Sequence, residues 1–145
     1  MGLALMIEIP VVAIIVENPR NEVLLLLRDD KSGLEFANFW TLPGGRVEER
    51  ETPEMAAHRE LLEETGLELP LSPWKTYKRR HQSRDLVVRQ HVYVGQTDRE
   101  VQDLMLGEGQ ALRYFSQKEV VSLPIAYGFD TLLREFFCEK LEADS

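Results

Sequence analysis

The sequence predicts an α/β domain in which a mixed β-sheet lies between helices. Three observations carry that prediction. Short apolar or β-branched runs recur along the chain, as buried strands do. One well-capped helix interrupts them. A second amphipathic helix closes the chain, so strands surround one helix and end in another.

Val11–Val16 is apolar and β-branched, which reads as a buried strand. Asn18-Pro19-Arg20-Asn21 is a turn, and Glu22–Arg28 holds Val-Leu-Leu-Leu-Leu, so the two runs read as a hairpin. Asp29–Asn38 is a polar loop, and Phe39–Leu42 a short strand stopped by Pro43-Gly44-Gly45. Thr52 is a good N-cap, Pro53 suits the first helical position and Gly66 suits a left-handed end, giving a helix over 53–65. Trp74–His81 and Leu86–Gly95 are alternating strands, with Val88, Gln90, Val92 and Val94 sharing one side. An acidic loop, Thr97–Gly109, leads to a strand at Ala111–Phe115. Ser116 caps a short turn through Glu119, and Tyr127–Leu141 has Leu132, Leu133, Phe136, Phe137 and Leu141 at helical spacing.

The 145 residues suit one domain, 1–145. A net charge of −8 argues against a surface that coats nucleic-acid polymers, yet permits a small anionic substrate whose charge a bound cation offsets. The single cysteine, Cys138, excludes an intrachain disulfide and suggests a reducing, cytoplasmic setting. Met1–Ile7 is apolar, but Glu8 and Pro10 interrupt the run and no basic leader precedes it. A buried strand is therefore expected there rather than a signal peptide or membrane span.

The chemistry concentrates on the internal helix. Glu60, Glu63 and Glu64 at i, i+3 and i+4 share one face. Met55 and Leu62 fall almost opposite, and Ala56 and Ala57 leave space beside the acids. One side of the helix is thus expected to pack on a sheet while the other holds clustered carboxylates. His58 falls away from the glutamates, with packing as its expected role. Like charges at this spacing cost ~0.2–0.5 kcal/mol per pair. A generic Glu-rich helix would be a solvated face with Arg59 as counterion. Hard oxygen donors also suit Mg²⁺ or Mn²⁺, which can neutralise phosphate oxygens and activate water.

The segment from Gly45 to Leu67 decides between these. Gly45, Glu51, Arg59-Glu60-Leu61, Glu63-Glu64 and Gly66-Leu67 resemble the Nudix box, G-x5-E-x7-R-E-U-x-E-E-x-G-U, at all nine specified positions of 23. The strand order on either side also resembles that family. The resemblance implies a Nudix-type α/β/α sandwich and a MutT-type pyrophosphohydrolase acting on nucleoside triphosphates or nucleoside diphosphates linked to another moiety. It implies Mg²⁺, or Mn²⁺, held by Glu60, Glu63, Glu64 and the Gly44 carbonyl. Glu60 would lie near the attacking water and Arg59 would orient it, while Glu51 would brace the loop. Gly107-Glu108-Gly109-Gln110 is similar to the MutT-type Glu-Gly-Gln segment, which makes Glu108 a candidate base or further ligand. Arg28, Arg79 and Tyr127 are candidate substrate contacts.

Six of the 17 basic residues lie between Lys75 and His91, a basic edge able to steer anions or simply an exposed hairpin tip. Tyr127 stands where guanine-reading MutT-type members carry an asparagine, and a tyrosine stacks on a base without the same paired hydrogen bonds. The proline of ADP-ribose-type members is missing around Gln82–Ser83. Tyr77 comes too early for the tyrosine of dinucleoside-polyphosphate members. The competing readings are a non-catalytic Nudix-fold nucleotide-binding module and an acidic helix that binds Ca²⁺ structurally. The last helix and first strand could each join a homodimer.

Overall fold

A computed structural model describes residues 7–81 and 85–144. Met1–Met6 of the expected first strand, and Gln82, Ser83 and Arg84 of the basic hairpin, lie outside the described residues. The strands are β1 (Ile7–Glu17), β2 (Val23–Leu27), β3 (Trp40–Thr41), β4 (Gly44–Arg46), β5 (Ser72–Arg80), β6 (Leu86–Gln96) and β7 (Ala111–Phe115). The helices are α1 (Pro53–Thr65), α2 (Gln117–Val120) and α3 (Phe129–Asp144). The sheet runs β3-β2-β1-β6-β5, with β4 also on β1 and β7 also on β2. It is mixed: β1 and β6 are parallel from Ile7↔Leu86 to Glu17↔Gln96, and the other pairs are antiparallel.

The unbroken apolar runs now have a cause. Alternate residues of β1 and β2 serve two cores, so both faces must be apolar. Ala13, Ile15, Val23 and Leu25 pack with Leu132, Leu133, Phe136 and Phe137 of α3. Val12, Ile14, Val16, Leu24 and Leu26 pack with Ala56, Ala57 and Leu61 of α1. The result is the expected α/β/α sandwich.

Three local expectations need correction. The β1–β2 hairpin holds only at its base, Glu17↔Val23, where Asn18 Oδ1 accepts the amides of Arg20 and Glu22, both at 3.0 Å. Beyond that point β4 takes the edge of β1. This strand hides in a Pro-Gly-Gly sequence that reads as a turn. Ile7 is 61% exposed, and burial in β1 begins only at Val12. The last helix starts at Phe129 rather than Tyr127, because Tyr127 and Gly128 are both left-handed, at φ 59° and 75°.

The helix α1 spans the expected residues. Thr52 accepts the Met55 amide at 3.1 Å, and the left-handed Gly66 donates to the Leu62 carbonyl at 2.9 Å. Its packing face differs from the expectation. Met55 and Leu62 are 55% and 45% exposed, and His58 is exposed too. Ala56, Ala57, Leu61 and Glu64 are buried instead. Two methyl side chains let the helix backbone lie close to the sheet, and the rotation that seats them turns Glu64 inward.

This packing predicts an asymmetry. Ala57→Leu overfills the contact and should cost about 1–3 kcal/mol. Leu62→Gln, on the outer face, should stay within about 0.5 kcal/mol of the parent. Urea unfolding midpoints of the two variants check this, and equal losses would refute the assigned face.

Candidate active site

The loop before α1 is tied down by Arg59. Its Nε and Nη2 donate to the two oxygens of Glu51 at 2.7 and 2.9 Å, a bidentate pair. Nη2 also reaches the Arg46 carbonyl at 3.1 Å, and Nη1 donates to Glu60 at 2.9 Å. Glu51 in turn accepts the Glu48 amide at 2.9 Å. The guanidinium hydrogen bonds and that amide hold the Glu51 carboxyl down at about 2. The same carboxylates raise the Arg59 pKa.

Beyond Arg59, α1 faces a cleft of about 760 Å³. Glu60, Glu64, Glu108 and Gly44 line one part of it, and Arg28, Arg79 and Tyr127 line another. Glu64 is only 5% exposed, and one of its oxygens accepts the Gly44 amide at 2.9 Å. Burial, then the neighbouring Glu108 and Glu60 carboxylates, push Glu64 up to about 9 against the pull of the Gly44 amide. Burial also raises Glu60, with Arg59 opposing the shift. Gly45 makes room for Glu60, since a Cβ there would sit 2.5 Å from Glu60 Oε1.

Strand alternation places Gly44 well. Ile14 N–H donates to the Pro43 carbonyl and Val47 N–H to the Pro10 carbonyl, at 2.9 and 3.0 Å. Gly44, opposite Ala13, therefore occupies a non-hydrogen-bonded position on β1, and the β1 ladder uses neither its N–H nor its carbonyl. Glu63 is not part of the cleft lining: its side chain is 57% exposed and lies 3.4 Å from Arg59 Nη1.

At the other part of the cleft, the Tyr127 ring has the Arg28 and Arg79 guanidinium carbons 5.2 and 5.6 Å from its centroid. Phe36 meets the ring edge-on at 4.8 Å. Arg28 is braced by the Glu35 carbonyl, which accepts from its Nε and Nη2 at 3.1 and 2.7 Å. Burial is the main cause of the raised Tyr127 pKa.

The basic run divides. Lys75 pairs with Glu135 and Glu139, and Arg89 pairs with Glu8. Lys78 and Arg80 are exposed. Arg79 is the member, among the described residues, that reaches the cleft.

Two residues escaped the sequence reading. Gln90 is 4% exposed and donates from Nε2 to the Tyr127 carbonyl at 3.2 Å, holding that left-handed residue. Its signal was present: one amide among the valines on one side of β6. Phe36, itself at φ 57°, sits in a polar loop and gave no signal. A depression of about 750 Å³ beside Glu17 is equally large, but Lys140 Nζ already pairs with that buried carboxylate at 3.1 Å.

A three-layer sandwich with a cleft where carboxylates of α1 meet the sheet and the Tyr127 segment defines the structural class. The family model described as NUDIX domain matches residues 8–136, and the chain belongs to that family. It is 31% identical over 128 residues to the CTP pyrophosphohydrolase of Escherichia coli (strain K12), an overlap of 88% of this chain and 90% of the relative. It is 39% identical over 82 residues to a putative 8-oxo-dGTP diphosphatase of Bacillus subtilis (strain 168). That match covers 57% of this chain and about half, 49%, of the relative. The solution structure of the E. coli ORF135 protein superposes with a TM-score of 0.74 at 29% identity, covering 93% of this chain and 92% of that one. Among the described residues, no helix is long and apolar enough to cross a membrane.

The Glu51–Arg59 brace predicts a pH signature. Because the folded pKa of Glu51 lies below its ordinary 4.5, the stability it contributes is present above that value. It is lost as pH falls toward about 2. Glu51→Gln should unfold at lower urea than the parent at pH 7, and the gap should close between about pH 4.5 and pH 2. A gap that stays constant down to pH 2 would contradict the pairing.

Proposed function

We propose that the chain, as one domain, is a Mg²⁺-dependent hydrolase of a phosphoanhydride bond in a nucleoside triphosphate or a nucleoside diphosphate linked to another moiety. Mn²⁺ is the substitute cation, and the cytoplasmic setting fits the lone Cys138. The observation that carries the reading is the meeting of Glu60, Glu64 and Glu108 in one cleft with Arg28, Arg79 and Tyr127.

The residues fit a hard divalent cation. Glu64 is buried beside two further carboxylates with one N–H donor to balance it, so a cation is what lets it ionise near neutral pH. The donors are all oxygens, as Mg²⁺ requires. Among the described residues no group of three His, Cys, Asp or Glu side chains is already gathered to hold a metal ion. Glu60, Glu64, Glu108 and the Gly44 carbonyl would hold it, with Glu63 on the rim. When bound, the cation neutralises phosphate oxygens and lowers the pKa of a coordinated water.

The chain's own groups do the rest. Arg59 fixes Glu60 while Glu51 fixes Arg59. Glu108, which lines the cleft beside Glu60 and Glu64, is the candidate base for the attacking water, with Glu60 the alternative. Arg28 and Arg79 bind phosphate oxygens as fixed guanidinium forks. Tyr127 lies against both of them and is the candidate contact for the nucleotide base, on which a tyrosine can stack. The overlap with a CTP pyrophosphohydrolase over 90% of its length makes CTP the first nucleotide to test.

A panel of nucleotides should release phosphate or pyrophosphate with Mg²⁺ and none with EDTA. Glu64→Gln should lower kcat by about 10²–10⁴ with its unfolding transition retained. Arg79→Ala should raise KM more than it lowers kcat. Tight nucleotide binding without turnover on any member of the panel would instead favour a non-catalytic binding module.

A further inference from the structure

We propose that Gly107 and Gly109 are positioning residues: they clamp the loop carrying Glu108 between the C-terminal turn of α1 and the end of β2, and so hold Glu108 beside Glu64. The inference rests on the reading above, in which Glu108 belongs to the reacting cluster.

The last carbonyls of a helix lack donors within it. At the end of α1, two of them are satisfied by a loop some forty residues on. Met105 N–H donates to the Thr65 carbonyl at 3.0 Å, and Gly107 N–H donates to the Glu64 carbonyl at 3.1 Å. On the opposite side, Gln110 N–H donates to the Leu27 carbonyl at 2.8 Å. The Gln110 side-chain amide donates to the Arg28 carbonyl and Asn38 Oδ1, both at 2.7 Å. Glu108 lies between these two sets of anchors.

The contacts are too close for any side chain. A Cβ on Gly107 would lie 1.8 Å from the Glu63 carbonyl oxygen and 2.9 Å from its carbon. A Cβ on Gly109 would lie 2.5 Å from the Leu27 carbonyl oxygen, at a φ of +82° that already favours glycine. The nearest obstacles are backbone atoms, which cannot swing aside as a long side chain can. Glu108 is itself exposed, so its position is set by the clamped backbone on either side rather than by packing of its own side chain. Glu64 thus plays two parts. Its carboxyl lines the cleft, and its backbone carbonyl anchors the neighbouring carboxylate.

A double-mutant cycle on the full chain tests this, using Gly107→Ala, Glu108→Gln and their combination, with amide hydrogen exchange followed by NMR. The clamp predicts that Gly107→Ala lowers kcat by about 10- to 100-fold, since small misplacements of a reacting group cost that much. KM should stay within about threefold. In the Glu108→Gln background the same substitution should have no further effect on kcat. The amides of residues 105 and 107 should exchange slowly in the parent and quickly in Gly107→Ala, while the Gly44 amide keeps its protection. Gly109→Ala should reproduce the pattern if Gly107→Ala does not fold. An unchanged kcat, or the same fold-loss with and without Glu108, overturns the proposal. Fast exchange at 105, 107 and 110 in the parent overturns it whatever the activity. Slow exchange there in a parent that hydrolyses no nucleotide would support the clamp and remove the functional reading instead.

Discussion

The close approach of α1 to the sheet is the constraint on which the cleft depends. Ala56 and Ala57 put nothing larger than a methyl group between the helix and the strands. At that separation Glu64 reaches the Gly44 amide on β4 at 2.9 Å, and Glu60 occupies the space beside Gly45. A larger residue at either alanine would lift the helix and withdraw both carboxylates together. The same contact fixes the rotation of α1, so Met55 and Leu62 remain outside. Exposure of two large apolar residues is a small cost beside burial of the alanine and Leu61 face at roughly 25 cal/mol per Å² of apolar surface.

That geometry creates an electrostatic problem which the rest of the site answers. Carboxylates brought near one another with little water cannot all ionise. Arg59 offsets Glu60 but is itself engaged by Glu51, so its charge is shared. Glu64 receives one backbone N–H, and its raised pKa records the shortfall. On the proposed reading, a bound cation would make up this shortfall. The neighbouring guanidiniums do not, because Arg28 and Arg79 are held against the Tyr127 ring. Acidic and basic groups thus line one cleft, and on the proposed reading they would meet the two charges of a metal–phosphate ligand separately.

Much of this was legible in the sequence, and the failures have physical causes. The bounds of α1 were readable because Thr52, Pro53 and Gly66 act locally, through caps that need no tertiary partner. The carboxylate spacing was readable for the same reason. The buried face of α1 differs from the expected one because that face was placed opposite the glutamates by helical angle, whereas in the fold Ala56, Ala57, Leu61 and Glu64 itself turn toward the sheet. β4 was hidden because its residues, Gly44-Gly45-Arg46, have little strand propensity, and only pairing with β1 makes them a strand. The roles of Gln90 and Phe36 depend on chain segments far apart in sequence, so no local pattern could assign them.

The overall charge sharpens the importance of the two cleft arginines. At −8 the molecule as a whole repels a nucleotide. Screening confines that repulsion to about 8–10 Å at ordinary salt. Within that distance, local groups decide whether an anion is accepted. Of the six basic residues clustered in the sequence, Lys75 and Arg89 are committed to carboxylates elsewhere. Field strength at the cleft therefore does not follow from the basic run as a whole. It depends on Arg79, and on Arg28 just past the end of β2, because an aromatic ring and a backbone carbonyl keep them there. Tyr127 does this in a left-handed conformation, and the buried Gln90 amide bonds its carbonyl in that pose. The basic part of the cleft is thus built by packing and hydrogen bonding rather than by net charge, which is why an acidic protein can present it.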